Sequence, residues 1–144
     1  MRALLDVNVL IALLDPDHTM HAVARTWLAS RGKDGWATCP ITENGFVRIV
    51  SQPGYPNPVT VREGIAALRA IAAVESHEFW PCDVSLSAPD TVDTGRLIGS
   101  GQVTDAYLLA LAKHQGGCLA TFDRRIAAEL VPGATPAHLV VIGT

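Results

Sequence analysis

The chain has 144 residues, 49% of them hydrophobic, and a mean hydropathy of +0.25; these values describe a single core-rich globular domain over residues 1–144, not a disordered tail. A formal charge of −3, with Lys33 and Lys113 as the only lysines, excludes a module that grips duplex nucleic acid through a broad basic surface. No apolar run reaches the ~18–20 residues of a membrane span, and the short run Val7–Leu14 lacks the flanks of a signal peptide, so a cytoplasmic location is expected.

Short apolar runs alternate with longer amphipathic stretches, the pattern of an α/β protein with a parallel sheet. In chain order the sequence predicts a strand at Arg2–Asp6, a helix at Val9–Leu14 and a helix at Met20–Ser30. A strand at Trp36–Cys39 follows, then helices at Thr42–Val50 and Val61–Glu75. Next come a strand at Glu78–Pro81, helices at Ser87–Ile98 and Thr104–Gln115, a strand at Cys118–Phe122, a helix at Arg125–Leu130 and a strand at Leu139–Ile142. Gly116-Gly117 and Pro132-Gly133 punctuate helix ends, and the proline-rich run Pro53–Pro58 reads as a loop between two helices. Strand order is not readable from this pattern. Cys39, Cys82 and Cys118 are widely spaced and odd in number, which reads as small buried hydrophobes in a reducing compartment. Asp17-His18-Thr19-Met20-His21 reads as a helix entry, because no third soft ligand has zinc-site spacing.

Four carboxylates stand where apolar elements begin or end. Asp6 follows Ala-Leu-Leu and precedes another apolar run, where a charge is expensive unless paired or bound to a cation; Asn8 reads as the better-placed helix cap. Glu43 lies in the first turn of a helix that Thr42 can cap, just after a strand. Asp105 follows Thr104, a second candidate cap, and shares its stripe with Leu108, Leu109 and Ala112, the face that packs on the sheet. Asp123 ends a strand, with Thr121 on the same face two residues earlier. Ligands of open parallel sheets bind beyond the carboxyl ends of strands, so all four acids can meet on one rim. Such a cluster needs a counter-charge, and an all-oxygen set suits Mg²⁺ or Mn²⁺ and attack of water on a phosphodiester. Arg48, Arg124 and Arg125 are candidate contacts to RNA phosphates, and Trp27 is a candidate for contact with a partner.

The segments Leu-Leu-Asp-Val-Asn-Val-Leu-Ile-Ala-Leu-Leu, Thr-Glu-Asn-Gly-Phe-Val-Arg, Val-Thr-Asp-Ala-Tyr-Leu-Leu-Ala-Leu-Ala and Thr-Phe-Asp-Arg-Arg occur in this order over nearly the whole chain. In these the chain resembles the PIN-domain ribonucleases, and most nearly the VapC toxins of toxin–antitoxin pairs. The resemblance implies a three-layer α/β/α fold around a parallel sheet of four to five strands. It implies an acidic Mg²⁺ or Mn²⁺ site at Asp6, Glu43, Asp105 and Asp123, with Asn8 and Thr121 in support. It also implies endoribonuclease activity leaving 5′-phosphate and 3′-hydroxyl ends, a VapB-like antitoxin partner, and a homodimer that assembles with that antitoxin. Two alternatives compete: a housekeeping PIN nuclease without antitoxin, and a receiver-like metal-binding signalling module. The second needs a lysine on a late strand, and neither Lys33 nor Lys113 lies on one.

Overall fold

The computed structural model describes residues 1–143; Thr144, the last residue of the expected domain, lies outside them. Five short strands form: β1 (Ala3–Leu5), β2 (Trp36–Thr38), β3 (His77–Phe79), β4 (Cys118–Thr121) and β5 (Leu139–Val141). They pair in parallel throughout, in the order β3-β2-β1-β4-β5. Five helices accompany them: α1 (Val7–Leu14), α2 (His21–Ser30), α3 (Pro40–Val50), α4 (Val61–Ala72) and α5 (Val103–His114).

Alternation along each strand sorts side chains onto the two faces of the sheet. Ala3, Leu5, Trp36 and Ala120 pack with Val9 and Leu10 of α1 and Phe46 of α3. Leu4, Ala37 and Leu119 point the other way, into a core with Leu108 and Leu111 of α5 and with Trp80. The result is the three-layer α/β/α arrangement, with the central strands buried on both faces and therefore apolar at nearly every position. At the amino edge of β1, the Arg2 guanidinium donates to the carbonyls of Ser76 (2.7 Å) and Trp36 (3.2 Å) and pairs with Glu78. No helix among the described residues is long and apolar enough to cross a membrane.

Two expected helices do not form. Ser87–Ile98 is a succession of turns. Pro89 interrupts it, the Ser85 and Asp93 side chains accept the N–H groups of Ser87 and Gly95, and the Thr91 hydroxyl bonds the Ser85 carbonyl. Such local bonds offer the backbone an alternative to a helical ladder. Arg125–Leu130 is also a turn, closing in a single 3₁₀ turn at Ala128–Leu130, because Asp123 captures the Arg125 N–H and the segment is too short to propagate a helix.

Three expected caps differ as well. Asp6, not Asn8, caps α1. The helix expected from Thr42 begins at Pro40, a residue suited to a first helical position, and Thr42 exchanges hydrogen bonds with the Cys39 backbone from the third position. The α5 helix begins at Val103 behind Gln102, so Thr104 lies inside its first turn. The Pro53–Pro58 loop is pinned by the Tyr55 hydroxyl, which donates to Asp15 near the end of α1. Cys39 and Cys118 are buried, Cys82 is half-buried, and all three are free thiols. His18 accepts the Met20 N–H and His21 bonds the Ala12 carbonyl, as a helix entry does. Trp27 is half-buried beneath the Arg31 guanidinium.

After α5 the backbone turns within two residues. Gly116 adopts φ +72°, its N–H bonds Lys113, and the Gly117 N–H bonds Ala112 at 2.8 Å. Gly117 then passes so close to β1 that an added Cβ would stand 2.3 Å from the Arg2 carbonyl oxygen and 2.7 Å from the Trp80 ring. Gly117→Ala is therefore expected to lower unfolding free energy by about 1–3 kcal/mol or more. Urea denaturation will measure this, with Gly54→Ala, which meets nothing within 4 Å, as the neutral control.

Candidate active site

Helix α1 leaves β1 on one face of the sheet, while α5 arrives on the other before entering β4. Winding therefore reverses between the adjacent strands β1 and β4, and a crevice opens beyond their carboxyl ends. Asp6 stands in it. Its Oδ1 accepts the Val7 N–H at 2.7 Å and its Oδ2 accepts the Thr121 hydroxyl at 2.7 Å. Thr121 Oγ1 also accepts the Asp123 N–H at 3.0 Å, and Asn8 Oδ1 accepts the Phe122 N–H at 3.4 Å. The start of α1 is thus laced to the end of β4.

Asp6 is only 8% exposed, and that burial pushes its carboxyl above the usual range; the bonds from Thr121 and Val7 oppose the shift, and Asp123 adds repulsion. Asp105, in the first turn of α5, is raised too, by burial first, then by Asp6 and Asp123, against an opposing pull from Arg125. Asp123 goes the other way. The Arg125 guanidinium grips both its oxygens, Nε to Oδ1 and Nη2 to Oδ2 at 3.0 Å each, and the Arg125 N–H bonds Oδ1 at 2.9 Å. Those bonds hold the Asp123 carboxyl below its usual range. Asp105, Asp123 and Arg125 line a cleft of 420 Å³ with Gly99, Gln102 and Leu130.

Glu43 is placed differently. It lies in the first turn of α3, where Thr38 at the end of β2 donates to its Oε2 at 2.6 Å. It borders a separate groove of 730 Å³ between α3 and α4, together with Arg48, Ile65 and Leu68. Arg124 is exposed and donates to the Gly143 carbonyl at 3.3 Å. Arg125 is the one arginine of the three that shares a cleft with two of the acids.

Among the described residues, no three His, Cys, Asp or Glu side chains stand in ligating geometry. Asp123 is turned onto Arg125 and Glu43 onto Thr38. The donor chemistry nevertheless fits a hard divalent ion. Burial holds Asp6 and Asp105 above their usual range, with the charge of Asp123 adding at Asp6 and those of Asp6 and Asp123 adding at Asp105, a cost that a cation removes. Each Asp6 oxygen accepts one hydrogen bond, from Val7 N–H or the Thr121 hydroxyl, whereas a carboxylate offers about four acceptor sites.

Residues 3–129 match the PIN domain family. Ribonuclease VapC44 of Mycobacterium tuberculosis is 52% identical to the chain over 142 residues, covering 99% of this chain and 100% of that protein. The chain belongs to the VapC family of PIN-domain ribonucleases. Ribonuclease VapC39 of the same organism is 45% identical over 128 residues, 88% of this chain and 92% of its own length. Solved structures share the fold of this PIN domain at much lower identity. The Rickettsia felis VapBC2 structure, bound to a DNA fragment from its promoter, aligns over 99% of both chains with a TM-score of 0.64 and 14% identity. Mycobacterium tuberculosis VapC20, described as a sarcin-ricin loop cleaving toxin, aligns over 83% of this PIN domain and 87% of its own chain, with a TM-score of 0.56 and 14% identity.

Sequence reasoning missed Thr38, the partner of Glu43. Its signal was available, since like Thr121 it is a threonine closing an apolar strand. It also missed His77, whose place depends on the β2–β3 register and on nothing local.

The carboxyl shifts give the PIN domain a pH signature. A buried acid whose pKa rises on folding contributes stability below its unfolded value of 3.8, and that contribution is lost as pH climbs through the raised value. Asp123, lowered on folding, contributes above 3.8 and loses that contribution only in stronger acid. Metal-free Asp6→Asn protein is therefore expected to match or exceed the wild-type melting temperature at pH 7–8, with the gap closing toward pH 4. Thermal melts in EDTA across that range will check this; a variant clearly less stable at pH 8 would contradict the assigned charge cost.

Proposed function

We propose that this PIN domain is a Mg²⁺- or Mn²⁺-dependent endoribonuclease and the toxin of a VapBC-type pair. Asp6, Asp105, Asp123 and Glu43 are the acidic metal residues of this reading, with Asn8 and Thr121 in support. The observation that carries it is the geometry at the ends of β1 and β4, where Thr121 bonds both the Asp6 carboxylate and the Asp123 N–H, and Asp123 shares a cleft with Asp105. The ribonuclease names of the relatives and the toxin–antitoxin complex among the fold neighbours support the same reading.

When bound, a divalent ion supplies Lewis acidity and lowers the pKa of water at the phosphodiester. The chain's own residues prepare that chemistry. Val7 N–H and the Thr121 hydroxyl fix the plane of the Asp6 carboxylate, so its remaining lone pairs keep one direction. Asp105 lines the cleft from a helix packed against the sheet, where a cation would offset the burial and repulsion that raise its carboxyl. Arg125, whose side chain is 90% exposed, serves as the counter-ion of Asp123 and, once Asp123 turns inward, as a contact for an RNA phosphate. Arg48 and Arg124 are the further phosphate contacts of this reading. The partners are an RNA substrate, a VapB-like antitoxin and a second copy of the chain in a homodimer that assembles with the antitoxin, in the cytoplasm.

Purified protein is expected to cut total cellular RNA with Mg²⁺ or Mn²⁺ and to stop in EDTA. Asp6→Asn and Asp105→Asn are each expected to lose about 100-fold or more in rate. Mapping the cut ends names the target, and survival of cleavage within a few-fold in either variant sinks the site assignment. For the antitoxin, the neighbouring gene is expected to encode a small DNA-binding protein whose co-expression abolishes cleavage and yields a larger complex by size-exclusion chromatography.

A further inference from the structure

His77 lies outside the Asp105–Asp123 cleft, at the start of the edge strand β3, yet one hydroxyl joins it to Glu43. Thr38 Oγ1 stands 2.6 Å from Glu43 Oε2 and 2.7 Å from His77 Nε2. A hydroxyl has a single proton to give, and an ionised carboxylate can only accept. Thr38 therefore donates to Glu43, and the second contact is a hydrogen bond only if His77 Nε2 carries the hydrogen. Thr38 is fully buried, where an unmet polar contact is costly, so this arrangement is enforced. The imidazole is held in place by the Trp36 ring, with centroids 4.7 Å apart and planes at 58°. Glu43 Oε1 makes no hydrogen bond or ion pair among the described residues, so one carboxylate oxygen is committed and the other is open to a ligand.

We infer that His77 is a positioning residue of the nuclease site: as the Nε2–H tautomer it orients the Thr38 hydroxyl, which fixes the Glu43 carboxylate. This rests on reading Glu43 as part of that site. Burial pushes the His77 pKa below its usual value, against the pull of Glu43, which favours the neutral ring and gives it a choice of tautomer. Outer-shell partners that fix a tautomer and orient a ligand are worth about 10–100-fold in metal affinity.

The first test needs no metal. Nitrogen-15 spectra of the metal-free protein, labelled at histidine, are expected to show His77 as Nε2–H, and Thr38→Val is expected to release it into a tautomer mixture while Thr38→Ser preserves it. A wild-type His77 in the Nδ1–H form overturns the inference. The second test titrates Mn²⁺ into full-length protein by electron paramagnetic resonance. His77→Ala is expected to weaken Mn²⁺ binding about tenfold, and His77→Gln, which offers an N–H in a similar place, to recover most of it. Equal Mn²⁺ binding by wild type and His77→Ala overturns the positioning role. No Mn²⁺ binding by wild type overturns the metal-site reading instead, and the tautomer result then decides whether His77 holds Glu43 at all. Should His77→Ala fail to fold, Thr38→Val against Thr38→Ser carries the same comparison.

Discussion

A single buried carboxylate, Asp6, joins the fold to the site. It closes the central strand, caps the first helix and accepts the hydroxyl of Thr121 from the neighbouring strand. Placing an unpaired charge in such a setting costs several kcal/mol, by general experience of buried ions, and two hydrogen bonds offset only part of that. The imbalance is visible in the raised carboxyl of Asp6 itself. The surrounding sheet is rigid enough to keep the group there, because β1 and β4 are covered on both faces. The unmet cost becomes an appetite for positive charge at one point of the surface.

The other acids follow from topology. A helix that precedes a parallel strand must run back across the sheet, so the first turn of α5 arrives at the edge where β1 and β4 end. Asp105 is delivered there by that geometry, and Asp123 by the turn that leaves β4. Glu43 comes from β2, one strand further from the reversal, and it borders a different groove. The four acids are thus three coupled groups and one neighbour, and the neighbour has its own anchorage in Thr38 and His77. Arg125 is the counter-charge the cluster carries itself.

Much of this was legible in the residues. Ala-Leu-Leu followed by an acid, and Cys-Leu-Ala-Thr followed two residues on by another, announce buried strands that end in chemistry. The stripe of Asp105 with Leu108, Leu109 and Ala112 placed that acid on the packed face of its helix, and the structure has it half-buried there. Residues 87–98 deceived, because apolar spacing ignores how readily Ser85, Thr91 and Asp93 capture nearby backbone groups. Helix α4 begins at Val61 as expected, while α1, α2, α3 and α5 begin one or two residues from their expected starts, where neighbouring side chains were eligible as caps. The Thr38–Glu43 contact had a local signal in the threonine that closes β2, five residues before the acid; the Thr38–His77 contact was out of reach. The second spans 39 positions and depends on which strand lies beside β2, which no local pattern encodes.

The charges at the two ends of β1 have one more effect. Ala3, Leu4 and Leu5 are apolar on both faces, so hydrophobic alternation cannot tell one alignment of this strand from the next. Arg2 and Asp6 can. Arg2 holds carbonyls at the amino edge, and Asp6 holds a hydroxyl at the carboxyl edge. A slip of one residue in either direction would drag one of these ions into the dry interior of the sheet. The strand on which the whole sheet is centred is therefore locked in alignment by electrostatics, like a bolt with a head at each end, and the residue that forms one head is the residue the site is built on.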